Sequence, residues 1–248
     1  GPAREILTEF PHLKAVDLPD HLLMPGLIDA HTHLTQSMGK ALAFGEPSEI
    51  FRRIWVPMEA SLRPEAAYIS TKLAALEALR GGFTTVVDAG TRSESGLSSV
   101  AQAVREAGVR CVLAMICNDL HHPAGDGAFD AIAPDADRHL LAYANDALIS
   151  PSLAISIPEV ASDRMLAHVA ALARESGRIF QTHANEHLIA VERSLVVRGM
   201  RPIELLASVG ALNPSTLLAH ATLMTPRELS QVRDQGAAVA YNPVASAW

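Results

Sequence analysis

The strongest constraint on the fold of this chain is a repeated alternation between short apolar runs, rich in β-branched residues, and longer segments of helical periodicity. This alternation is typical of βα units that build a parallel sheet. Strands are predicted over 22–30, 84–88, 109–116, 153–157, 178–183, 216–220 and 237–241. Helices are predicted over 64–80, 96–107, 136–148, 163–176, 188–197 with 202–209, and 225–235, and the longest predicted loop is 118–134. Because eight βα units close a barrel, we predict an α/β fold, a (β/α)8 TIM-type barrel that is incomplete in this chain, with about seven strands.

The length of the chain sets the domain organisation. Its 248 residues, 49% of them hydrophobic, suffice for one large core, and an α/β barrel is a common single-domain solution near this length. We assign residues 22–248 to the barrel. Residues 1–21 contain short apolar pieces interrupted by prolines, and we predict that they are the end of a small β-element outside it.

Charge and cysteine content narrow the range of functions. The formal net charge is -7 and the 20 lysines and arginines are scattered, so no basic surface for nucleic acid is expected. Cys111 and Cys117 lie in an apolar stretch and offer neither a disulfide framework nor a cysteine-based zinc site, which favours a reducing cytoplasm. Neither a membrane-spanning segment nor a signal peptide is expected, because no run is long and apolar enough and the first residues lack a basic leader.

Polar residues at the ends of the predicted strands are the candidates for chemistry, because strand carboxyl ends converge at one mouth of such a barrel. His31 and His33 close the first strand, where the period of two turns both imidazoles to the same side, about 6–7 Å apart. That spacing allows both to bind one metal. Taken alone, a His-x-His pair fits an ordinary polar loop equally well.

A second group follows the fifth predicted strand. His183 would add a third imidazole, and Glu186, three residues on, suits proton transfer to and from a hydrolytic water. Taken alone, Glu186 could equally be a solvent-exposed carboxylate at a helix N-terminus, where the helix dipole stabilises negative charge. His220 ends the sixth strand. A lone histidine at such a position more often has a structural role, but the other candidate histidines at strand ends favour a place for His220 in the same site.

These segments together resemble the amidohydrolase superfamily, in particular its deaminase and triazine-hydrolase branch. Residues 25–33 are similar to the first-strand motif of that superfamily, 81–88 to its second strand, 183–186 to its His-x-x-Glu motif and 242–243 to its seventh-strand Asn-Pro. The resemblance covers nearly the whole chain, and the order and separation of the segments make it far more specific than any one of them.

The resemblance implies a metal-dependent hydrolase that acts on C–N bonds other than peptide bonds. His31, His33 and His183 would hold one divalent metal ion, usually zinc and sometimes iron. Glu186 would shuttle protons, and His220 would orient the attacking hydroxide or the substrate. The expected reaction is hydrolytic deamination of a small amino-heterocycle or amidine through a metal-activated hydroxide, carried out by a homodimer. Residues 1–21 would be the remnant of the superfamily's N-terminal β-sandwich.

Departures from the superfamily pattern refine this hypothesis. The last metal ligand of the superfamily is an aspartate after an eighth strand, and the chain stops at Trp248 before such a strand, so we expect residues to be missing at both ends. The lysines are Lys14, Lys40 and Lys72, none on the fourth strand, which disfavours a binuclear centre bridged by a carboxylated lysine. Glu159 keeps that alternative open as a substitute bridge. The segment 156–159, which follows the fourth strand, lacks the histidine that nucleoside-type deaminases have there, and this disfavours a ribosyl substrate.

Two alternatives to deamination stay open. One is hydrolysis of a cyclic amide, or of triazine-type C–N or C–Cl bonds, on the same centre, with two metal ions favouring the amide class. The other is a non-catalytic barrel relative that lacks the last metal ligand.

Further polar or aromatic residues around the predicted mouth are candidates for substrate contact. For each of them packing or a surface loop is the alternative role: Gln36, Trp55, Asn118, Asp119, His121 and His122.

Overall fold

Seven parallel strands form one sheet, and their spatial order follows the order of the chain. The computed structural model describes residues 2–43, 45, 50–93, 96–120 and 122–245. The strands are β1 (Leu27–Thr32), β2 (Phe83–Asp88), β3 (Arg110–Ile116), β4 (Ile149–Ile155), β5 (Phe180–Ala184), β6 (Thr216–His220) and β7 (Ala238–Ala240). The helices are α1 (Ala3–Glu9), α2 (Lys40–Ala43), α3 (Val56–Ser61), α4 (Pro64–Arg80), α5 (Ser98–Ala107), α6 (Ala128–Ala142), α7 (Asp163–Glu175), α8 (Leu188–Arg198), α9 (Pro202–Ser208) and α10 (Pro226–Gln235).

The sheet curls into a nearly closed barrel. In a flat sheet β1 would lie about 19 Å from β5 and about 24 Å from β6, at the usual spacing between neighbouring strands. Instead the His31 ring on β1 lies 4.7 Å from the His183 ring of β5 and 5.6 Å from the His220 ring of β6, measured between centroids. Within the described part of the chain, β1 and β7 remain unpaired edges. The predicted fold, a TIM-type barrel of seven strands, is confirmed.

The core lies where the strands and the surrounding helices pack together. Its larger cluster joins β4, β5 and β6 to α6, α7, α9 and α10, with Phe180, Leu153 and Met165 fully buried. A second cluster joins β2 and β3 to α4 and α5 around Val86 and Leu113. Burying apolar side chains in this way supplies most of the drive to fold, and it holds the strand ends rigidly at the mouth.

The structure differs from the predicted elements in several places, and among them β4 begins at Ile149 rather than at residue 153 and α6 ends at Ala142 rather than at residue 148. The first strand begins at Leu27 rather than at residue 22, because Leu22 and Leu23 are almost fully exposed and have nothing to pack against. The predicted loop 118–134 is wrong in its second half, where α6 begins at Ala128 and contains Pro134. Between β1 and α4 the chain forms short helical turns that the sequence did not predict, among them Leu34–Gly39, Phe51–Trp55 and α3.

The N-terminal segment does not confirm the expected β-sandwich remnant. Residues 3–9 form α1, which is exposed throughout, and no strand occurs over residues 2–26. The division at residue 21 stays a prediction. The predicted barrel domain ends on residues 246–248, which lie outside the described residues, as does His121. No helix in the described ranges is long and apolar enough to cross a membrane.

Candidate metal and catalytic site

The two histidines at the end of β1 point into the barrel mouth. The His31 and His33 rings are 5.0 Å apart between centroids and nearly perpendicular. His31 also lies against the His183 and His220 rings, so four imidazoles from three strands meet at one point. The strand period of two places both β1 side chains on this face, as the sequence predicts.

His183 is oriented by a hydrogen bond from its far ring nitrogen. Its Nδ1 lies 2.7 Å from the backbone carbonyl oxygen of Ser156, which follows β4. Because a carbonyl only accepts, Nδ1 carries the hydrogen and Nε2 keeps its lone pair. That Nε2 faces the Nε2 of His33 at 3.1 Å. A backbone carbonyl that fixes the tautomer in this way is typical of a metal-binding histidine.

The imidazoles are neutral, which is the form that binds metal. Burial, together with the charges of His33 and His220, lowers the pKa of His31 to about 2. Burial also lowers the pKa of His33 and His183 well below the usual value, with further contributions from neighbouring imidazoles and Arg92. The pKa of His220 is lowered to about 4 by burial. At neutral pH the low pKa values leave each ring with one unprotonated nitrogen.

The residues present fit a divalent metal ion. Ligand nitrogens of His31, His183 and His220 all lie within 4.8 Å of one another, and His33 adjoins His183. The Nδ1 of His33 is buried and has no hydrogen-bond partner in the described part of the chain, an unsatisfied polar atom that a bound ion at this cluster would help to explain. The predicted triad and His220 are thus brought together in one cluster, in which His220, and not His33, belongs to the group of ligand nitrogens within 4.8 Å of one another.

Glu186 lies beside this cluster on the solvent side. Its Oε1 is 3.6 Å from Nε2 of His220, and its side chain is 40% exposed. Partial burial raises the pKa of the Glu186 carboxyl, against the opposing charges of His187 and Arg193. The Asn242 amide donates to Nδ1 of His220 at 3.4 Å, which leaves the other ring nitrogen directed at Glu186. A carboxyl with a raised pKa beside a neutral imidazole suits proton transfer.

Strained backbone holds these side chains in place. Asn185, His220 and Ala221 are non-glycine residues with positive φ, at 51°, 69° and 51°. The Asn185 amide donates to the Glu228 carboxylate at 2.8 Å, and Glu228, fully buried, also pairs with Arg201 at 2.9 Å. Strain of this kind persists only where the surroundings impose it, and it concentrates at functional sites.

The histidine cluster opens into a cavity of about 860 Å³. Gln36 lines it, as the sequence suggested, together with Arg52 and Arg193, and so does Trp55, for which the sequence favoured packing. The volume lies in the range of small-molecule sites. Glu159, the possible bridging ligand of a binuclear centre, accepts a hydrogen bond from Arg193 at 2.8 Å. Its carboxylate is thus paired with an arginine.

The polar residues after β3 have structural partners instead of cavity positions. Asn118 binds the backbone nitrogen and the hydroxyl of Ser156. Asp119 accepts from the backbone and hydroxyl of Ser162, the residue that caps α7. His122 accepts from the next turn of its own loop. These three side chains are therefore engaged in contacts within the protein and do not line the cavity.

Sequence reasoning missed three residues that shape the site: Ser156, Arg92 and Asn185. Ser156 and Arg92 follow β4 and β2, so their place at strand carboxyl ends was a usable signal. Asn185 carried no comparable signal, because its role depends on a left-handed backbone and on Glu228, 43 residues away.

Comparison with known proteins gives a family match over most of the chain. The model of the amidohydrolase family matches residues 22–247. The 5'-deoxyadenosine deaminase of Methanobrevibacter smithii is 30% identical over 235 residues, which are 93% of this chain and 52% of that relative. The chain spans about half the length of the curated relatives it matches.

Solved structures agree in fold. An adenosine deaminase from Xanthomonas campestris with bound zinc superposes with a TM-score of 0.75 at 27% identity, over 87% of this chain and 48% of that one. The zinc complex of atrazine chlorohydrolase from Arthrobacter aurescens has a TM-score of 0.73 at 22% identity, over 90% of this chain and 55% of the other. The second likeness concerns the fold alone.

Proposed function

Because this chain belongs to the amidohydrolase family, we propose that it carries the hydrolytic site of a deaminase of amino-heterocycles or amidines, with one divalent metal ion, zinc in the first instance, held by His31, His33 and His183. The observation that carries this proposal is the meeting of four neutral imidazoles from β1, β5 and β6 beside Glu186. Ring nitrogens suit zinc, and also iron among the transition metals.

The protein residues divide the chemistry between them. When bound, the ion supplies Lewis acidity that brings the pKa of water close to neutrality. Glu186 takes a proton from the attacking water and returns it to the nitrogen side of the substrate. Water adds to the carbon that bears the amino group, the bond to that group breaks, and ammonia leaves as a carbonyl forms. The Nε2–H of His220 donates a hydrogen bond to the oxygen on which negative charge develops. The Asn242 amide keeps the ring in this orientation by donating to Nδ1.

The names of the relatives favour an aminated purine nucleoside as the first substrate to examine. They include 5'-deoxyadenosine deaminases and a 5-methylthioadenosine/S-adenosylhomocysteine deaminase. This weighs against the sequence-based inference that disfavoured a ribosyl substrate. A cavity of about 860 Å³ accommodates a ligand of that size.

The test is ammonia release by the zinc-loaded protein from 5'-deoxyadenosine, adenosine, guanine, cytosine and an aminated triazine, with a chelator-treated sample as the control. Release from any of these, abolished by the chelator, is the expected result. A chlorotriazine and a cyclic amide are assayed in parallel, and release of chloride or ring opening, without ammonia release from the other substrates, would move the protein to the alternative hydrolase class. Absence of turnover on every substrate would favour the non-catalytic relative.

The proposal also includes the oligomeric state and the cellular location of the protein. We expect a homodimer, which sedimentation equilibrium tests. A reducing, cytoplasmic location is consistent with Cys111 and Cys117, both buried and free of a disulfide.

A further inference from the structure

A buried arginine lies below the histidine cluster and is not among the groups that carry the proposed reaction. Arg92 follows β2, and its side chain is only 16% exposed. It lines a small internal space together with His31, His33 and His183. A buried guanidinium has to be paired, so its partners reveal what its position serves.

The two ends of the guanidinium fork bind different parts of the barrel. Nη1 donates to Oε2 of Glu59 at 2.6 Å, and Nη2 donates to the hydroxyl of Ser156 at 2.6 Å. Glu59, on α3, is fully buried and accepts a second hydrogen bond from Gln36 at 2.9 Å. The guanidinium also stacks on the Phe51 ring at 4.6 Å. Arg92 is therefore anchored on one side by α3 and the turn before it.

Through Ser156, the Nη2 end of the guanidinium is connected to His183, one of the proposed metal ligands. Ser156 is held by Arg92 and also by Asn118, which binds its hydroxyl and its backbone nitrogen at 2.9 Å each. The carbonyl of the same residue accepts from Nδ1 of His183 at 2.7 Å and from the His183 backbone nitrogen at 3.2 Å. The position of that carbonyl thus determines where Nε2 of His183 points.

We propose that Arg92 is a positioning residue that, through Ser156, aims the His183 imidazole into the metal site. This inference rests on the proposed function for the existence of the metal. A structural ion pair with Glu59 would need only the charge of Arg92. Positioning of Ser156 needs the planar fork, which spans two acceptors at once and which lysine cannot reproduce.

The variants are chosen to separate charge from geometry. Arg92→Lys keeps the charge beside Glu59 and removes the second arm of the fork. Ser156→Ala removes the hydroxyl that Arg92 holds and keeps the carbonyl, and it serves also where Arg92→Lys folds poorly. Arg105→Lys is the matched control, because Arg105 pairs with Asp146 at 2.7 Å and lies 5.7 Å from the Tyr143 ring centroid, outside the residues that line the cavity.

The readouts are the affinity for Co²⁺, measured by competition with a chelator, and the visible absorption of the bound Co²⁺, which reports the arrangement of its ligands. Arg92→Lys is expected to bind Co²⁺ about 10- to 100-fold more weakly and with an altered spectrum. The double variant with Ser156→Ala is expected to be no weaker than Arg92→Lys alone, because both changes break the same link. Arg105→Lys is expected to match the unsubstituted protein.

Unchanged affinity and spectrum in Arg92→Lys, an equal loss in Arg105→Lys, or fully additive losses in the double variant would each overturn the inference while leaving the proposed function intact. Failure of the unsubstituted protein to bind Co²⁺ would overturn the proposed function, and the inference with it.

Discussion

At the scale of single residues, Glu186 is the side chain whose chemistry is easiest to isolate. Replacing it with glutamine keeps its size and removes the proton-accepting carboxylate. Because Glu186 is not among the proposed metal ligands, Glu186→Gln should retain zinc, while kcat for ammonia release falls by about two to four orders of magnitude. Zinc content and steady-state kinetics check both parts.

The matched control for that change is Glu192→Gln, which removes an exposed carboxylate from α8, the helix that follows Glu186. Its kinetics should equal those of the unsubstituted protein. Near-normal turnover in Glu186→Gln would exclude Glu186 as the proton shuttle.

Asp88, buried at the end of β2, should make stability depend on pH. Its carboxylate accepts from the backbone nitrogens of Leu34 at 2.8 Å and Gly90 at 3.0 Å, yet burial raises its pKa to about 7. Since this pKa exceeds that of the unfolded chain, the folded state retains a proton between about pH 4 and pH 7 that the unfolded chain has released. The contribution of Asp88 to stability is therefore complete below pH 4 and lost as the pH rises through 7.

The prediction is that Asp88→Asn, measured by urea denaturation of the metal-free protein, loses less stability between pH 4.5 and 7.5 than the unsubstituted protein. The difference should be on the order of 2–4 kcal/mol. Asp234→Asn, an exposed control, should leave the pH profile unchanged. Parallel profiles for Asp88→Asn and the unsubstituted protein would contradict the assignment.

At the scale of elements, the turn after β2 depends on the absence of a side chain. Gly90 has a φ of +85°, and a Cβ there would lie 2.8 Å from the carbonyl oxygen of Ala114 on β3. Gly82 has the same φ and an open surrounding, so it isolates the cost of the backbone conformation. We expect Gly82→Ala to lower the free energy of unfolding by about 1 kcal/mol and Gly90→Ala by clearly more, on the order of 3 kcal/mol.

Chemical denaturation of the two variants measures both values. Equal losses would mean that β3 yields to the added methyl group, and would remove close approach as the reason for glycine at position 90.

Elements with strong local signals are the ones that sequence predicts well. The bounds of α4 and β6 agree with prediction, because Pro64 starts the one and a short apolar run followed by His220 defines the other. For α6 the sequence misleads, since Pro134 normally breaks a helix but here is tolerated within one that packs Ile132 and Ala136 into the core. Tertiary burial outweighed the local rule.

The candidate site divides in the same way. His31, His33, His183 and His220 were predictable because each ends an apolar strand. Arg92 and Ser156 also follow strands, but their partners could not be predicted, because the contacts join distant positions without periodicity: Arg92 and Ser156 are 64 residues apart, and Arg92 and Glu59 are 33 apart.

At the scale of the whole molecule, metal binding should stabilise the fold, because the proposed ligands come from strands β1 and β5 and bind only in the folded chain. Free zinc at about 100 times its Kd would add about 2.7 kcal/mol. For a protein of this size that corresponds to a rise in Tm of roughly 5–10 °C. Calorimetry with and without a chelator measures the change.

Mg²⁺ is the control ion, because it prefers oxygen ligands and an octahedral site, and it should leave Tm unchanged. His183→Ala should remove most of the response to zinc. Coincident melting curves with zinc and with the chelator would contradict a metal site that spans the barrel.

The meeting of β1 with β5 also sets when the site can form. His33 and His183 are 150 residues apart in the chain, and their ring nitrogens come together only once the sheet has curled. Closing so long a loop is costly in entropy, so these contacts belong to the late stage of folding. On a ribosome that adds about 5–20 residues per second, the β1 histidines wait roughly 8–30 s for their partner to be synthesised. If the chain binds metal as proposed, loading would be a late event in the life of the nascent chain, and metal that reached the first pair earlier would meet only an open, two-histidine site.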